Sequence, residues 1–592
     1  MNMNVAQRIA QLRTVMASRG IDAYLIEGTD SHASEYPPAR WEGRKWISGF
    51  TGSAGWFALT ARHSALWVDG RYHLQAEQET GDSEIELQKV ALPGPDEIIP
   101  WLVSRLEPGS VVGCNRREIT HAQWELYASR LEDAGLQAVL TNDLLDEIWT
   151  DRPDIPAEPV REVPLSYTGR SRGAKIHDIR EYMQQQGASW YVLSSLDDIA
   201  WVLNLRGGDV MYNPLFLSFL IIGPDSMILC VDADKLPDGF ADALEGLEIT
   251  KYSMVEEVIR KRCSGRILFD PERTCAGVAE AASSLGRTVL RPDITSRMKA
   301  RKNPAELAGI EEAHIQDGCA MVNMLYWLDT SWNHEHITEL TVAEKLREFR
   351  GAQHSFLQES FSPIVGFRSN GAVIHYHVDE STALPINQPG LLIIDSGGQY
   401  LGGTTDITRT AVLGEPDSQQ RTDYTLVLKG HLALAASRFP EGTRGIQLDT
   451  IARRYLWERG MQYFHGTGHG IGHMLCVHEG PGSISPKMID IPLEQGMVFS
   501  NEPGIYRPGQ YGIRIENLMY VRPWGDEGFG QFYRWETVTL CPYERKLIDR
   551  SLLTREETMQ VNEYHQRVFR ELSPSLGKDE AAWLRAQTLP LT

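Results

Sequence analysis

The sequence predicts an α/β (α+β) chain of three parts: two related α/β domains, then a larger mixed domain that carries the reactive side chains. Three observations predict it. A helix–strand plan occurs twice in the first half, a proline-rich stretch separates the copies, and histidines and acids gather at strand ends in the second half. At 592 residues the chain exceeds what one hydrophobic core supports, since single cores stop growing near ~250–300 residues.

Taken in order, Val5, Ile9, Leu12 and Met16 recur at helical spacing, so residues 5–19 form a helix that Gly20 closes. Ala23-Tyr24-Leu25-Ile26 follows as a strand, then the segment Trp46 to Gly55, then the strand Ala65-Leu66-Trp67-Val68-Asp69. The plan returns further on. Ile176, Ile179 and Met183 stripe a helix over 175–186 that Gly187 ends, and Trp190-Tyr191-Val192-Leu193 is its strand. Trp201-Val202-Leu203-Asn204 answers Trp46-Ile47-Ser48-Gly49, and Ile228 to Asp232 answers 65–69. Two copies make two related domains, where a solenoid needs at least three. Pro153, Pro156, Pro159 and Pro164 mark the boundary between them. A second boundary lies near 291–303. There Asn303-Pro304-Ala305-Glu306 opens a long helix with an N-cap, a first-turn proline and a capping-box glutamate. The nearby Arg297, Lys299, Arg301 and Lys302 read as solvated charges beside a linker. These limits give domains over 1–155, 165–292 and 300–540, with an extension over 541–592. In that extension Thr554-Arg555-Glu556-Glu557 is a capping box for a helix striped by Val561, Tyr564, Val568 and Leu572.

The bulk properties exclude some functions. A net charge of −21 argues against nucleic acid, which needs clustered Lys and Arg. Seven cysteines, odd in number and without C-x-x-C spacing, read as reduced thiols, and a cytoplasmic location is the expectation. The N-terminal stretch reads as an amphipathic helix and not a signal peptide. The apolar run Leu215–Ile222 is too short to span a bilayer. Gly52-Ser53-Ala54-Gly55 fails as a nucleophile elbow because Thr51 stands where that motif has Gly. Gly466, Gly468, Gly470 and Gly472 miss the G-x-G-x-x-G register of a dinucleotide loop.

The chemistry lies in the second half. His465, His469 and His473 are interleaved with glycines, and His478 follows five residues later. The apolar run Leu391–Ile394 ends in Asp395, and Thr404 to Thr410 returns through Asp406 as the second arm of a hairpin, which sets the two aspartates side by side. Val498-Phe499-Ser500-Asn501 is a strand that stops just after Glu502. In Ile513-Arg514-Ile515-Glu516 the alternation puts Arg514 and Glu516 on one strand face. Acids at the ends of apolar strands need partners. Two divalent cations balance four clustered carboxylates, and such pairs about 3.5–4 Å apart serve hydrolysis. Oxygen ligands with one imidazole and no thiolate suit Mn or Co, with Zn as the further alternative.

Asp395, Asp406, His469, Glu502 and Glu516 match, in order and context, the five metal ligands of the pita-bread metallopeptidases. Strings such as Val373-Ile374-His375-Tyr376, Gly468-His469-Gly470-Ile471-Gly472, Val477-His478-Glu479-Gly480-Pro481 and Asn501-Glu502-Pro503-Gly504 resemble the long, three-domain Xaa-Pro aminopeptidases (aminopeptidase P) of that family. The likeness extends to Trp46 to Gly55 and Trp67-Val68-Asp69-Gly70-Arg71-Tyr72. The resemblance implies two creatinase-like N-terminal domains, a pita-bread catalytic domain and an extension packed on it. It implies two divalent metal ions per subunit, most simply Mn2+, a cytoplasmic homodimer, and peptide substrates with a penultimate proline.

The same resemblance implies the residue roles. Asp395 would hold one metal, His469 and Glu502 the other, and Asp406 and Glu516 would bridge them. Glu502 would shuttle a proton from the bridging water, which becomes the attacking hydroxide, to the leaving nitrogen. His375 and His478 would contact the scissile bond, His465 and Arg71 would bind substrate, and Arg514 would offset leftover charge. Prolidase is the alternative within the fold, since blocking groups decide between dipeptides and longer peptides. A non-catalytic pita-bread module and a creatinase-like enzyme are disfavoured, because all five ligands are present. His473 is left outside the ligand set.

Overall fold

In the computed structural model the described residues are 3–91, 93–240 and 244–592. They fall into two units. The first runs to Val163 and includes Arg170–Met211 and Leu215–Thr295; the second comprises Pro164–Gly169, Tyr212–Pro214 and Ser296–Thr592.

The first unit contains two six-stranded sheets with one topology. In one, the order is Ile85–Lys89, Ser64–Val68, Trp56–Thr60, Ala23–Glu27, Val111–Asn115 and Gln137–Thr141. In the other it is Leu247–Thr250, Met227–Cys230, Phe219–Ile222, Trp190–Leu193, Ile267–Phe269 and Thr288–Leu290. Each central strand pairs antiparallel with the following strand and parallel with the strand on its other side. The correspondence between Gly49 and Asn204 is physical as well: both close short helices in the left-handed region, at φ 78° and 52°. Asn is among the few non-glycine residues that visit that region readily. The helix of the second copy begins earlier than its apolar stripe suggests. It spans Arg172–Gln185 because the Ser171 hydroxyl accepts from the Ala174 N–H.

The second unit is entered through the helix Pro304–Ser331, with Asn303 as N-cap and Glu306 closing the box. Strands Ile364–Phe367, Gly390–Ser396 and Ile407–Leu413 form an antiparallel sheet in which Asp395 lies opposite Thr408. A four-stranded sheet follows in the order Arg438–Pro440, Phe532–Thr537, Asn517–Gly525 and Val498–Asn501. Helices Ser418–Ala435 and Gly445–Trp457 pack against each other.

Two expectations are corrected here. Arg514 and Glu516 do not share one continuous strand: Tyr511–Arg514 ends, and Asn517–Gly525 begins in another sheet. The alternation survives the break because the Arg514 and Glu516 amides bond in turn to Thr410 Oγ1 and the Thr408 carbonyl, both at 3.1 Å. The basic quartet is not a solvated cluster either. Lys299 and Lys302 are 2% and 5% exposed, and their ammonium groups lie 3.3 and 2.5 Å from the buried carboxylate of Glu479. Only Arg297 and Arg301 stay at the surface, on Glu494.

The extension carries the helices Arg555–Leu572, capped by Thr554 and Glu557, and Lys578–Gln587. Arg409, 2% exposed, ties it to the sheet: its guanidinium donates to the carbonyls of Glu516, Cys541 and Pro542, to Asn517 Oδ1 and to Tyr564 Oη. Among the described residues no helix is long and apolar enough to cross a membrane.

Candidate metal centre

Acids and an imidazole from well-separated segments come together in the second unit. Asp406, His469 and Glu516 each offer a ligand atom, and these atoms lie within 4.8 Å of one another. His469 Nε2 stands 3.4 Å from Asp406 Oδ2 and 3.5 Å from Glu502 Oε1. The Gly-rich segment reaches this depth because it lies flush on its neighbours. A Cβ at Gly470 would sit 2.1 Å from the carbonyl oxygen of Glu479, so no larger residue fits there.

Hydrogen bonding fixes the imidazole tautomers. His469 Nδ1 lies 3.1 Å from the Gly470 carbonyl, which only accepts, so Nδ1 carries a proton and Nε2 is the ring atom that faces the two carboxylates. That leaves Nε2 placed as a ligand atom, and a cation between it and the carboxylates satisfies all three groups. His465 follows the same logic: Nδ1–H donates to the Gly466 carbonyl at 2.8 Å, and Nε2 accepts from Tyr506 Oη at 2.9 Å. Burial first, then the Arg514 charge, with His375 adding to it, pushes His465 down to about 3, so it is neutral.

The carboxylates show the same strain. Burial raises Asp395, Glu502 and Glu516 above the usual range, and for Glu516 the neighbouring Asp406, Glu502 and Asp395 add to it. Asp395 Oδ1, Asp406 Oδ1 and Glu516 Oε1 are buried with no hydrogen-bond partner among the described residues. Orphaned carboxylate oxygens around one imidazole nitrogen are the donor set of a hard to borderline divalent cation, so the residues fit the implied metals.

An outer ring, of which the sequence reading found only Arg514, holds these acids and the imidazole. Arg514 donates to Asp395 Oδ2, to Tyr506 Oη at 2.6 Å and to Thr408 Oγ1 at 3.2 Å. Thr408 Oγ1 in turn donates to Glu516 Oε2 at 2.8 Å. Ser500 Oγ accepts from the His469 N–H and donates to Glu502 Oε1. Arg453, paired with Asp449, holds the carbonyls of Tyr463 and His465. Apart from Arg514, no motif spacing marks these residues; only the need to satisfy buried acids points to them.

The other expected residues are placed as follows. His478 is exposed and sets its ring edge-on to His469, with centroids 4.3 Å apart. His375 is half-buried in a turn, close enough for its charge to act on His465. His473 is 1% exposed and outside any helix. Arg71 belongs to the first unit, where Asp69 engages its guanidinium at 2.7 and 2.9 Å.

The sequence pattern of Metallopeptidase family M24 matches residues 308–523, and that of the C-terminal region of peptidase M24 matches 531–591. Creatinase/Prolidase N-terminal domain patterns match 8–148 and 151–306. The chain is 38% identical to Xaa-Pro aminopeptidase 1 of Dictyostelium discoideum, covering 99% of this chain and 97% of that one. It matches the structure of an X-prolyl aminopeptidase from Caenorhabditis elegans, described as a cytosolic enzyme with a di-nuclear active site. There the TM-score is 0.94 and the identity 33%, over 100% of both chains. The prolidase of Pyrococcus horikoshii, 22% identical with a TM-score of 0.50, covers 63% of this chain and shares the fold. With its acids and imidazole gathered as described, and two creatinase-type domains ahead of them, the chain belongs to metallopeptidase family M24.

Proposed function

We propose that this protein is a dinuclear-metal Xaa-Pro aminopeptidase, which releases the N-terminal residue from peptides whose second residue is proline. The observation that carries the reading is the position of His469 Nε2, facing Asp406 and Glu502 beside three orphaned carboxylate oxygens. End-to-end similarity to proteins named for that activity supports it. Asp395 would hold one cation, His469 and Glu502 the second, and Asp406 and Glu516 both. Two divalent cations supply Lewis-acid polarisation of the scissile carbonyl and acidify water.

The chain's own groups do the rest. Proline lacks an amide N–H and has a fixed φ, so recognition rests on ring shape, and its nitrogen leaves only when protonated. Glu502 moves that proton. Its Oε1 is tied to Ser500, while Oε2, 4.0 Å from His465 Nδ1, takes the proton from water and delivers it to the prolyl nitrogen. The hydroxyl of that water bonds to the carbonyl carbon as the C–N bond breaks. His375 and His478 donate hydrogen bonds to the carbonyl oxygen as its charge grows. Neutral His465, held by Tyr506, lines the side beyond the proline. Arg514 keeps Asp395 oriented and compensates the acids. Mn2+ as the metal, a homodimeric assembly and a cytoplasmic location belong to the same proposal.

The test is incubation of the purified protein with Mn2+ and an Arg-Pro-Pro-type peptide, with products read by mass. Release of free Arg and the proline-headed remainder is the expected result. A tripeptide Xaa-Pro-Yaa left intact while the dipeptide Xaa-Pro is cut would assign the chain to prolidase instead.

A further inference from the structure

We propose that Glu479, gripped by Lys299 and Lys302, is a positioning residue that sets the His478 imidazole over the metal-site histidine; this rests on the role given to His478 above. The two lysines lie on the segment that leads into the long helix, and Lys302 is 177 residues from its partner. The side chains of all three are 1–2% exposed. Desolvating one carboxylate and two ammonium groups is expensive, and well-packed apolar residues usually serve stability as well or better. What the ion cluster supplies is a directional anchor.

The rest of the residue is fixed too. The Glu479 N–H donates to the Gly470 carbonyl at 2.8 Å, and its own carbonyl oxygen fills the space that a side chain at 470 would need. Amide, carbonyl and side chain of Glu479 are therefore all pinned. His478 lies one peptide bond away, and its exposed ring meets His469 edge-on at 4.3 Å. A small tilt of the Glu479 backbone moves that imidazole relative to the scissile carbonyl. Displacements near 1 Å in such groups cost about 100-fold in rate.

The test compares Glu479→Gln and Lys302→Met in the wild-type and His478→Ala backgrounds, measuring kcat, KM and bound metal. Amide exchange of the 469–482 segment is followed in the metal-free protein. Glu479→Gln should lower kcat about tenfold, with KM within about twofold and metal content unchanged. In the His478→Ala background the same change should lower kcat by less than about twofold, because its effect passes through that imidazole. Lys302→Met leaves Glu479 matched one-to-one with Lys299, so it keeps the test open should the first variant fail to fold, and it should show the same pattern at smaller size. Exchange at the Glu479 amide should quicken in both. Equal losses in the two backgrounds, or an unchanged kcat in Glu479→Gln, would overturn the positioning role. A wild-type rate for His478→Ala alone would instead overturn the role given to His478.

Discussion

Thr408→Val tests the outer ring most directly. Valine keeps the branched shape that a strand favours and removes only the hydroxyl. Two charged groups lose a partner: Glu516 Oε2 loses a donor at 2.8 Å, and Arg514 Nε loses an acceptor at 3.2 Å. A hydrogen bond to a charged group contributes about 1.5–3 kcal/mol, and the shorter contact takes the upper part of that range. Loss of an outer partner commonly weakens metal binding about 10–100-fold, or about 1.4–2.8 kcal/mol, which agrees with one such bond. The Thr408 hydroxyl also opposes the upward push that burial exerts on Glu516. Without it protons compete harder for that carboxylate, so the deficit should widen as pH falls. Calorimetric titration of the metal-free protein with Mn2+ at pH 8 and 6.5 measures both effects. Thr410→Val is the control, since the Thr410 hydroxyl bonds only the backbone of Arg514. An Mn2+ affinity within about twofold of wild type, or an equal loss in the control, would refute the reasoning.

Chelation should abolish turnover and added Mn2+ restore it, while Asp406→Ala loses metal together with rate; full activity in the metal-free protein would refute the two-metal site. His375→Ala and His478→Ala should keep their metals and lose kcat by about 10²–10³, with KM rising less; stoichiometric metal loss in either would make that residue a ligand. His431 and His565 are buried and pushed down to about 3, chiefly by burial, from an ordinary 6.5. Between pH 6.5 and 3 the unfolded chain therefore binds more protons at these sites, so stability is whole above 6.5 and falls with pH below it. The slope is about 1.4 kcal/mol per pH unit for each histidine. Urea unfolding at pH 7 and 5 should show this, and His431→Gln with His565→Gln should flatten the dependence; an unchanged slope would exclude these groups as its source. Light scattering should give twice the 66.6 kDa chain mass, and the single-chain mass would rule out the homodimer.

The acids proposed as ligands stood out in the sequence because an acid closing an apolar strand is conspicuous and imposes its own demand for a partner. Asp395 and Glu502 are of this kind, and the capping boxes at Asn303 and Thr554 are equally local signals. Thr408, Tyr506 and Ser500 were not legible, since a hydroxyl in a β-rich stretch looks the same whether or not it serves a buried carboxylate. Lys299 and Lys302 misled for a related reason. Local composition describes a surface linker, and the carboxylate that draws them inward lies far along the chain. The stretch around Ile515 shows a third limit: alternation reports which way side chains point and is silent on where one sheet hands over to the next.

Arg409 changes how the end of the chain should be regarded. Its guanidinium reaches Cys541, Pro542 and Tyr564 from a strand that begins one residue after Asp406. A protease cut or a shortened expression boundary near residue 540 would strip that cation of half its acceptors in a dry interior. The disturbance would travel down the strand to Thr408 and Asp406. Residues 541–592 therefore act as internal scaffolding for the strand that leads to Asp406, not as a dispensable appendage.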